Sequence, residues 1–168
     1  MSKNTKKFVA ASIAATLAVP TIAVAEMQTT QVKQTFTDVQ ASTYYYDAVT
    51  SLSDRNIISG YGNGKFGPQD AITRGQAAKI IVGVLNLATD TVINPAFTDV
   101  AEDHMFYKQI AALKEANIIT GYADDNTFRP DQSITRDEMA IILTRAFNLQ
   151  KDESTATPFT DVSDYMKP

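Results

Sequence analysis

The sequence contains no cysteine, and it has only one histidine, His104. The absence of cysteine excludes disulfides, zinc fingers, thiol redox chemistry and cysteine nucleophiles, so the fold must be held together by packing and hydrogen bonds. Basic residues are also outnumbered, because 15 Lys and Arg stand against 19 Asp and Glu, for a net charge of −4. A chain this acidic has no general attraction for nucleic acid, so an anionic ligand must be held by a few placed cations.

The first 25 residues predict a secretory signal peptide. A basic start with three lysines precedes an apolar run that ends at about Val19, and Ala-Val-Ala at 23–25 forms a small-residue cleavage site. The apolar run is too short and too rich in Ala and Thr for a good membrane-spanning helix. We therefore expect a secreted protein that is not inserted in a membrane after cleavage and that begins with a leader over residues 26–35.

An internal repeat organises the rest of the chain. Three motifs recur in the same order: FTDV at 36–39, 97–100 and 159–162, NIISGY at 56–61 with NIITGY at 117–122, and FGPQDAITR at 66–74 with FRPDQSITR at 128–136. The repeat predicts these segments: unit 1 over 36–88, a linker over 89–96, unit 2 over 97–149, a linker over 150–158, and the start of a third, truncated unit over 159–168. The truncation favours a fragment of a longer protein, and a short form that pairs with itself is the alternative.

Each complete unit predicts two helices. The first covers roughly 44–56 in unit 1 and 105–117 in unit 2, where apolar residues recur at i, i+3, i+4 and i+7. The second starts at Thr73 or Thr135 and has a broad apolar face, which is typical of a central helix with neighbours on several sides. The predicted fold class is therefore all-α, with helix-loop-helix units packed around their second helices.

The start of each second helix carries a capping-box pattern. Thr73 is followed three residues later by Gln76, and Thr135 is followed by Glu138. The threonine hydroxyl can accept from the backbone N–H of the third helical residue, whose side chain can accept from the N–H of the threonine. We assign these four residues to helix capping.

An arginine follows each capping threonine, at Arg74 and Arg136. The helix dipole disfavours a cation in the first turn, and two interpretations are open. The simpler one is a surface salt bridge to a neighbouring aspartate. The other is an anion-binding corner, built from the guanidinium and the free N–H groups of the helix N-terminus.

Residue sets for catalysis or metal binding are not evident in the sequence. A glycosidase needs a paired-carboxylate cleft and a metallohydrolase needs a set of metal ligands, whereas the acids here fall in caps, turns and linkers. The acidic turn at 124–126 lacks the spacing of an EF-hand calcium loop, and we interpret His104 as a surface residue. We predict a binding protein that is not an enzyme, with no catalytic residue, metal or cofactor.

The order of the motifs resembles the S-layer homology (SLH) domain family. The first unit reads FTDV, YYYDAV, NIISGYGNGKFGP and ITRGQAA, and the second reads FTDV, FYKQI, NIITGYADDNTFRP and ITRDEMA. The resemblance covers 36–149 and implies a pseudo-threefold bundle that anchors a protein non-covalently to the cell wall at the cell surface. With two complete units the bundle is expected to be incomplete, with one side of its centre uncovered. The implied partner is an anionic, pyruvylated secondary cell-wall polysaccharide attached to peptidoglycan, held in grooves between units, with other SLH units as further partners. The alternative is a fragment of a structural surface-layer protein whose self-assembly region is missing.

The resemblance also implies which residues bind the polysaccharide. The functional arginine of the family falls on Arg74 and Arg136, and the glycine that lets the backbone approach the sugar falls on Gly60 and Gly121. Gly75 replaces the family's alanine, and we expect it to weaken the first helical turn.

Two further positions complete the predicted site. Tyr44 stands where the family commonly has Trp and can stack on a sugar, whereas Met105 in the second unit is a poorer platform that should weaken the second groove. Asp38 and Asp99 match the family's aspartate, and both a turn or capping role and contact with the ligand are open for them.

Overall fold

The computed structural model describes residues 35–150 and Thr160. This part of the chain contains four helices: α1 (Tyr46–Asp54), α2 (Arg74–Leu85), α3 (Tyr107–Glu115) and α4 (Arg136–Ala146). The described residues include no β-strand, only the isolated bridges Thr73–Ser133 and Tyr122–Thr127. The all-α prediction is therefore confirmed. The predicted signal peptide and nearly all of the predicted third unit lie outside the described residues, and none of the helices in 35–150 is both long and apolar enough to span a membrane.

Asparagine ends the first helix of each repeat earlier than the apolar pattern predicts. Asn56 and Asn117 follow α1 and α3 with φ of 57° and 58°, in the left-handed region that Asn tolerates better than most residues. The next N–H then turns back onto the helix, so that Ile57 donates to the carbonyl of Leu52 over 2.9 Å. The helices therefore stop at Asp54 and Glu115, before the asparagines that the prediction included.

Both second helices begin with a complete capping box. In α2 the Gln76 N–H donates to Thr73 Oγ1 over 3.2 Å, and the Thr73 N–H donates to Gln76 Oε1 over 2.8 Å. In α4 the Glu138 N–H donates to Thr135 Oγ1 over 3.4 Å, and the Thr135 N–H donates to Glu138 Oε2 over 3.0 Å.

The aspartate of each FTDV motif holds the loop that precedes the second helix. The two oxygens of Asp38 accept from the N–H groups of Phe66 and Gly67, both over 2.9 Å. These hydrogen bonds, the first from Phe66 and the second from Gly67, lower the pKa of Asp38 below its ordinary value. Asp99 repeats the arrangement with two backbone N–H groups of the loop between α3 and α4, here called the second loop, over 2.8 and 2.7 Å. This geometry accords with the turn interpretation of both aspartates.

Helix α2 is shared between the two repeats. Ala78, Ile81 and Val82 belong to the core of the second repeat, while Ile80 and Val84 pack against that of the first. The main helix-to-helix contact of the described chain joins α2 to α3. This helix thus has the central position that its broad apolar face predicts.

Helix α4 does not have that position in the described part of the chain. Ile142 is its only buried residue. Leu143 is 36% exposed, and Phe147 and Leu149, just beyond the helix, are 48% and 57% exposed. Among these residues no described element packs over the outer face of α4, and an uncovered side is what two units of an incomplete bundle are expected to leave.

Gly75 has a packing role that is not evident from its low helix propensity. The buried ring of Phe106 lies over the first turn of α2, and a Cβ on Gly75 would stand 2.9 Å from Phe106 Cε2 and closer still to Cδ2. A real side chain would displace the ring or the helix. The absence of a side chain at this position lets α3 approach α2.

Replacing this glycine with alanine should therefore destabilise the protein even though alanine favours helix. We expect Gly75→Ala to lower the free energy of unfolding by about 1–2 kcal/mol, since overpacking outweighs the gain in propensity. Gly83→Ala is the matched control, because a Cβ there lies at 3.4 Å or more from Ile57, in or near ordinary contact. It should raise the free energy of unfolding by up to about 1 kcal/mol. Urea unfolding compares the two, and equal stability of both variants would contradict the packing role.

Candidate ligand-binding grooves

Two grooves open on the described surface, and each takes residues from both repeats. The first groove, with a volume of about 400 Å³, is lined among others by Gly60, Tyr61, Lys79, Met105 and Phe106. The second groove, of about 450 Å³, is lined among others by Arg74, Gly121, Tyr122, Glu138 and Arg145. Both volumes lie in the range of small-molecule sites. Because Arg74 belongs to the first repeat and Met105 to the second, neither groove is made by one repeat alone.

Arg74 crosses from the first repeat into the second groove. Only 6% of the residue is exposed. Its Nε donates to the carbonyl oxygen of Phe128 over 2.7 Å, and its Nη1 lies 2.9 Å from Glu138 Oε1. Its Cζ also lies 4.8 Å from the ring centroid of Tyr122 and 4.7 Å from that of Phe128. The arginine therefore forms a salt bridge, but with a distant glutamate and not with a neighbouring aspartate.

The N-terminus of α2 cannot form the anion-binding corner that free N–H groups would give. The N–H groups of Arg74 and Gly75 donate to the carbonyls of Gln132 and Pro130, both over 2.8 Å. The Gln76 N–H donates to the Thr73 hydroxyl, and the Thr73 N–H donates to Gln76 Oε1. All four orphan donors of the helix start are thus taken by protein, because the second loop lies across the end of the helix. This part of the sequence interpretation is wrong for α2.

Glu138 joins the capping box to the groove. Besides Thr135 and Arg74 it accepts a hydrogen bond from the Tyr122 hydroxyl. Partial burial by itself raises the pKa of Glu138, but the hydrogen bonds from Thr135 and Tyr122 and the charge of Arg74 outweigh it, so the pKa is lowered. For Tyr122, burial and the bond to Glu138 together raise the pKa. The carboxylate is therefore held ionised and cannot act as a proton donor at neutral pH.

A second arginine covers the outer face of Tyr122. The Arg129 Cζ lies 3.7 Å from the Tyr122 ring centroid, and its Nη2 lies 3.1 Å from Asp125 Oδ2. Arg129 has a φ of 61°, which is costly for a residue with a Cβ. The ion pair and the ring contact offset that cost. The equivalent position of the first repeat is Gly67, which adopts a φ of 74° without that steric cost because it has no Cβ.

The structure separates the glycines and arginines that the sequence groups together. Arg74 lines the second groove with Gly121, whereas Gly60 lines the first groove. Arg136 is exposed and is not among the residues of either groove. The arginine of one repeat therefore serves the groove of the next repeat.

The two proposed sugar platforms are also separated. Tyr44 is 98% exposed, contacts the edge of Tyr45 with ring centroids 5.1 Å apart, and lies outside both grooves. Met105 lines the first groove. The expectation that Met105 weakens the second groove is therefore wrong, because the helix start of the second repeat faces the groove of the first.

The two groove glycines are required by close packing. Gly60 and Gly121 have φ of 60° and 72°. A Cβ on Gly60 would lie 2.7 Å from Phe36 Cε1, and one on Gly121 would lie 2.7 Å from the carbonyl oxygen of Thr127. A side chain at either position would be strained and would push the loop away from the FTDV phenylalanine.

Sequence reasoning overlooked two cations of the grooves, Lys79 and Arg145. Lys79 stands three residues after Gln76, and Arg145 stands seven residues after Glu138. At these spacings the side chains lie on the same helix face as the capping residue. The position of the capping Gln or Glu in the sequence therefore indicates which face of each second helix borders a groove.

The acidic turn and the histidine have structural partners. Asp125 accepts from the N–H of Thr127 over 3.1 Å and pairs with Arg129. His104 Nδ1 accepts from the N–H of Phe106 over 3.2 Å. Among residues 35–150 no group of three or more His, Cys, Asp or Glu is arranged to hold a metal ion.

Loss of the Glu138 charge should destabilise the protein and change its response to acid. We expect Glu138→Gln to keep the cap, as Gln76 does in α2, but to lower the free energy of unfolding by about 2 kcal/mol at neutral pH. Because the folded-state pKa of Glu138 is lowered, its contribution is complete above the ordinary Glu pKa of about 4.3 and is lost as pH falls through the lowered value. The parent and the variant should therefore converge in acid.

Urea unfolding between pH 7 and pH 3 tests this, with Glu102→Gln as the control at an exposed turn position. A constant difference between Glu138→Gln and the parent across that range would contradict the proposed role of the charge.

Several bacterial surface proteins and enzymes contain a segment similar to this chain. An S-layer protein of Bacillus licheniformis is 35% identical over 131 residues, which cover 77% of this chain and 15% of that protein. The surface-layer 125 kDa protein of Lysinibacillus sphaericus is 36% identical over 165 residues, covering 97% and 13%. Exoglucanase XynX of Acetivibrio thermocellus is 32% identical over 140 residues, covering 79% and 12%. The chain spans less than a sixth of the length of each of these relatives.

The family comparison matches both repeats. The family model described as S-layer homology domain matches residues 35–78 and 96–140, which begin with the FTDV segments and include the Ile-Thr-Arg triplets. Together with the relatives, these matches place the protein at the cell surface and support a role in cell-wall anchoring. Because the family model matches more than half of the chain, in two repeats that follow one another in order, the chain belongs to the S-layer homology domain family.

Proposed function

We propose that the two repeats anchor the protein non-covalently to the cell wall by binding an anionic, pyruvylated secondary cell-wall polysaccharide attached to peptidoglycan. The observation that carries the proposal is the second groove, which is lined by two cations, Arg74 and Arg145, and by a single carboxylate, that of Glu138. The groove is thus a cationic site on a chain with a net charge of −4. In such a chain an anionic polymer is attracted only where cations are placed.

The first groove offers a different surface to the same polymer. It combines a cation, Lys79, and a carboxylate, Asp70, with the exposed side chains of Tyr61 and Met105. Aromatic side chains with a polar tip suit ligands that present both apolar C–H faces and hydroxyl groups. Two adjacent grooves on one chain also raise the avidity for a repetitive polymer, because binding of the second site becomes intramolecular.

The relatives support anchoring over catalysis or assembly. The similar segment occurs in proteins named as surface-layer proteins and in one named as an exoglucanase. A segment common to proteins with such different names fits a shared attachment role. The exoglucanase activity named for one longer relative is not needed to explain why the segment occurs in both kinds of protein.

Sedimentation with purified cell walls tests the proposal. The full chain should sediment with walls that retain their secondary polymer, and it should remain in solution when the polymer has been stripped. Removal of the pyruvate by mild acid should weaken binding about tenfold, since charge-assisted hydrogen bonds to the carboxylate are lost. Added salt should weaken binding to the intact walls for the same reason. Equal sedimentation with intact and stripped walls would contradict the proposed function.

A further inference from the structure

The charge of Arg74 is already neutralised within the protein. Its Nη1 pairs with Glu138, its Nε is used by the Phe128 carbonyl, and its Cζ lies close to the rings of Tyr122 and Phe128. Only 7% of its side chain is exposed. A guanidinium in this state has little surface and little uncompensated charge to offer an incoming anion. Arg74 therefore shapes the groove more than it attracts a ligand.

Arg145 is the cation of the second groove that remains available. It lies in the last turn of α4, two turns beyond Glu138 on the same face of the helix. It is exposed, and among residues 35–150 no carboxylate forms a salt bridge with it. A cation in the last turn of a helix is favoured by the dipole, so no compensating acid is required.

The first groove has no arginine at the matching position. When the repeats are aligned on their Ile-Thr-Arg triplets, Arg145 corresponds to Gly83, and Lys79 corresponds to Ile141. The available cation of the first groove is thus a lysine on a different turn of its helix. An arginine fork can hold a carboxylate with two parallel hydrogen bonds, whereas a lysine acts as a point charge.

We infer that Arg145 contacts the anionic group of the ligand in the second groove and gives that groove its preference for a carboxylate-bearing sugar. This inference rests on the proposed function. Arg74 is then a positioning residue, which holds Tyr122 and the second loop in place. Binding by the second groove requires the fork of Arg145, whereas in the first groove the charge of Lys79 is accompanied by the carboxylate of Asp70.

The test measures binding of the full chain to the purified, soluble polymer by calorimetry. Arg145→Gln should weaken binding about tenfold and reduce the salt dependence, because one charge-assisted contact is lost. The same comparison is made in a Lys79→Gln background, so that binding by the first groove does not mask the loss. Arg145→Lys should recover only part of the affinity. Arg55→Gln is the matched control, since Arg55 is an exposed cation at the end of α1, outside both grooves.

The polymer without pyruvate distinguishes the possible outcomes. On that polymer the parent and Arg145→Gln should bind equally, because the group that Arg145 contacts is absent. If the parent binds the pyruvylated polymer and Arg145→Gln in the Lys79→Gln background binds it as tightly as Lys79→Gln alone, the inference is overturned and the proposed function stands. If the parent shows no binding to the polymer, the proposed function fails and the inference fails with it.

Discussion

A single buried guanidinium ties the two repeats together. Burying a charge is costly unless it is paired and its remaining donors are bonded. Arg74 meets this condition through the carboxylate of Glu138, the carbonyl of Phe128 and the two rings close to its Cζ. The same contacts fix the second loop, orient the capping glutamate and form one wall of the second groove. The shape of the candidate site therefore depends on an interaction between repeats.

Two further contacts between the repeats also involve the first turn of α2. Phe106 packs on the bare backbone of Gly75, and the second loop accepts the first two N–H groups of α2. Met105 next to this contact borders the first groove. Each groove is consequently a property of neighbouring repeats, which explains why isolated motifs do not reveal which residues share a site.

The features that sequence predicted well are those set by local chemistry. The capping boxes depend on residues three positions apart, and the apolar spacing is enough to identify four helices. The features that it missed depend on distant contacts. Arg74 and Arg136 have the same local motif, yet one is buried and the other is exposed. The need for glycine at position 75 likewise depends on the distant ring of Phe106. The groove that Met105 borders is formed with residues of the first repeat.

A double-mutant cycle on Arg74 and Glu138 tests this account most directly. The free energies of unfolding are measured in urea for the parent, Arg74→Leu, Glu138→Gln and the double variant. If the ion pair joins the repeats, the two substitutions are coupled by about 1–3 kcal/mol, and the double variant is more stable than the sum of the single losses predicts. Additive losses, within about 0.5 kcal/mol, would contradict the account.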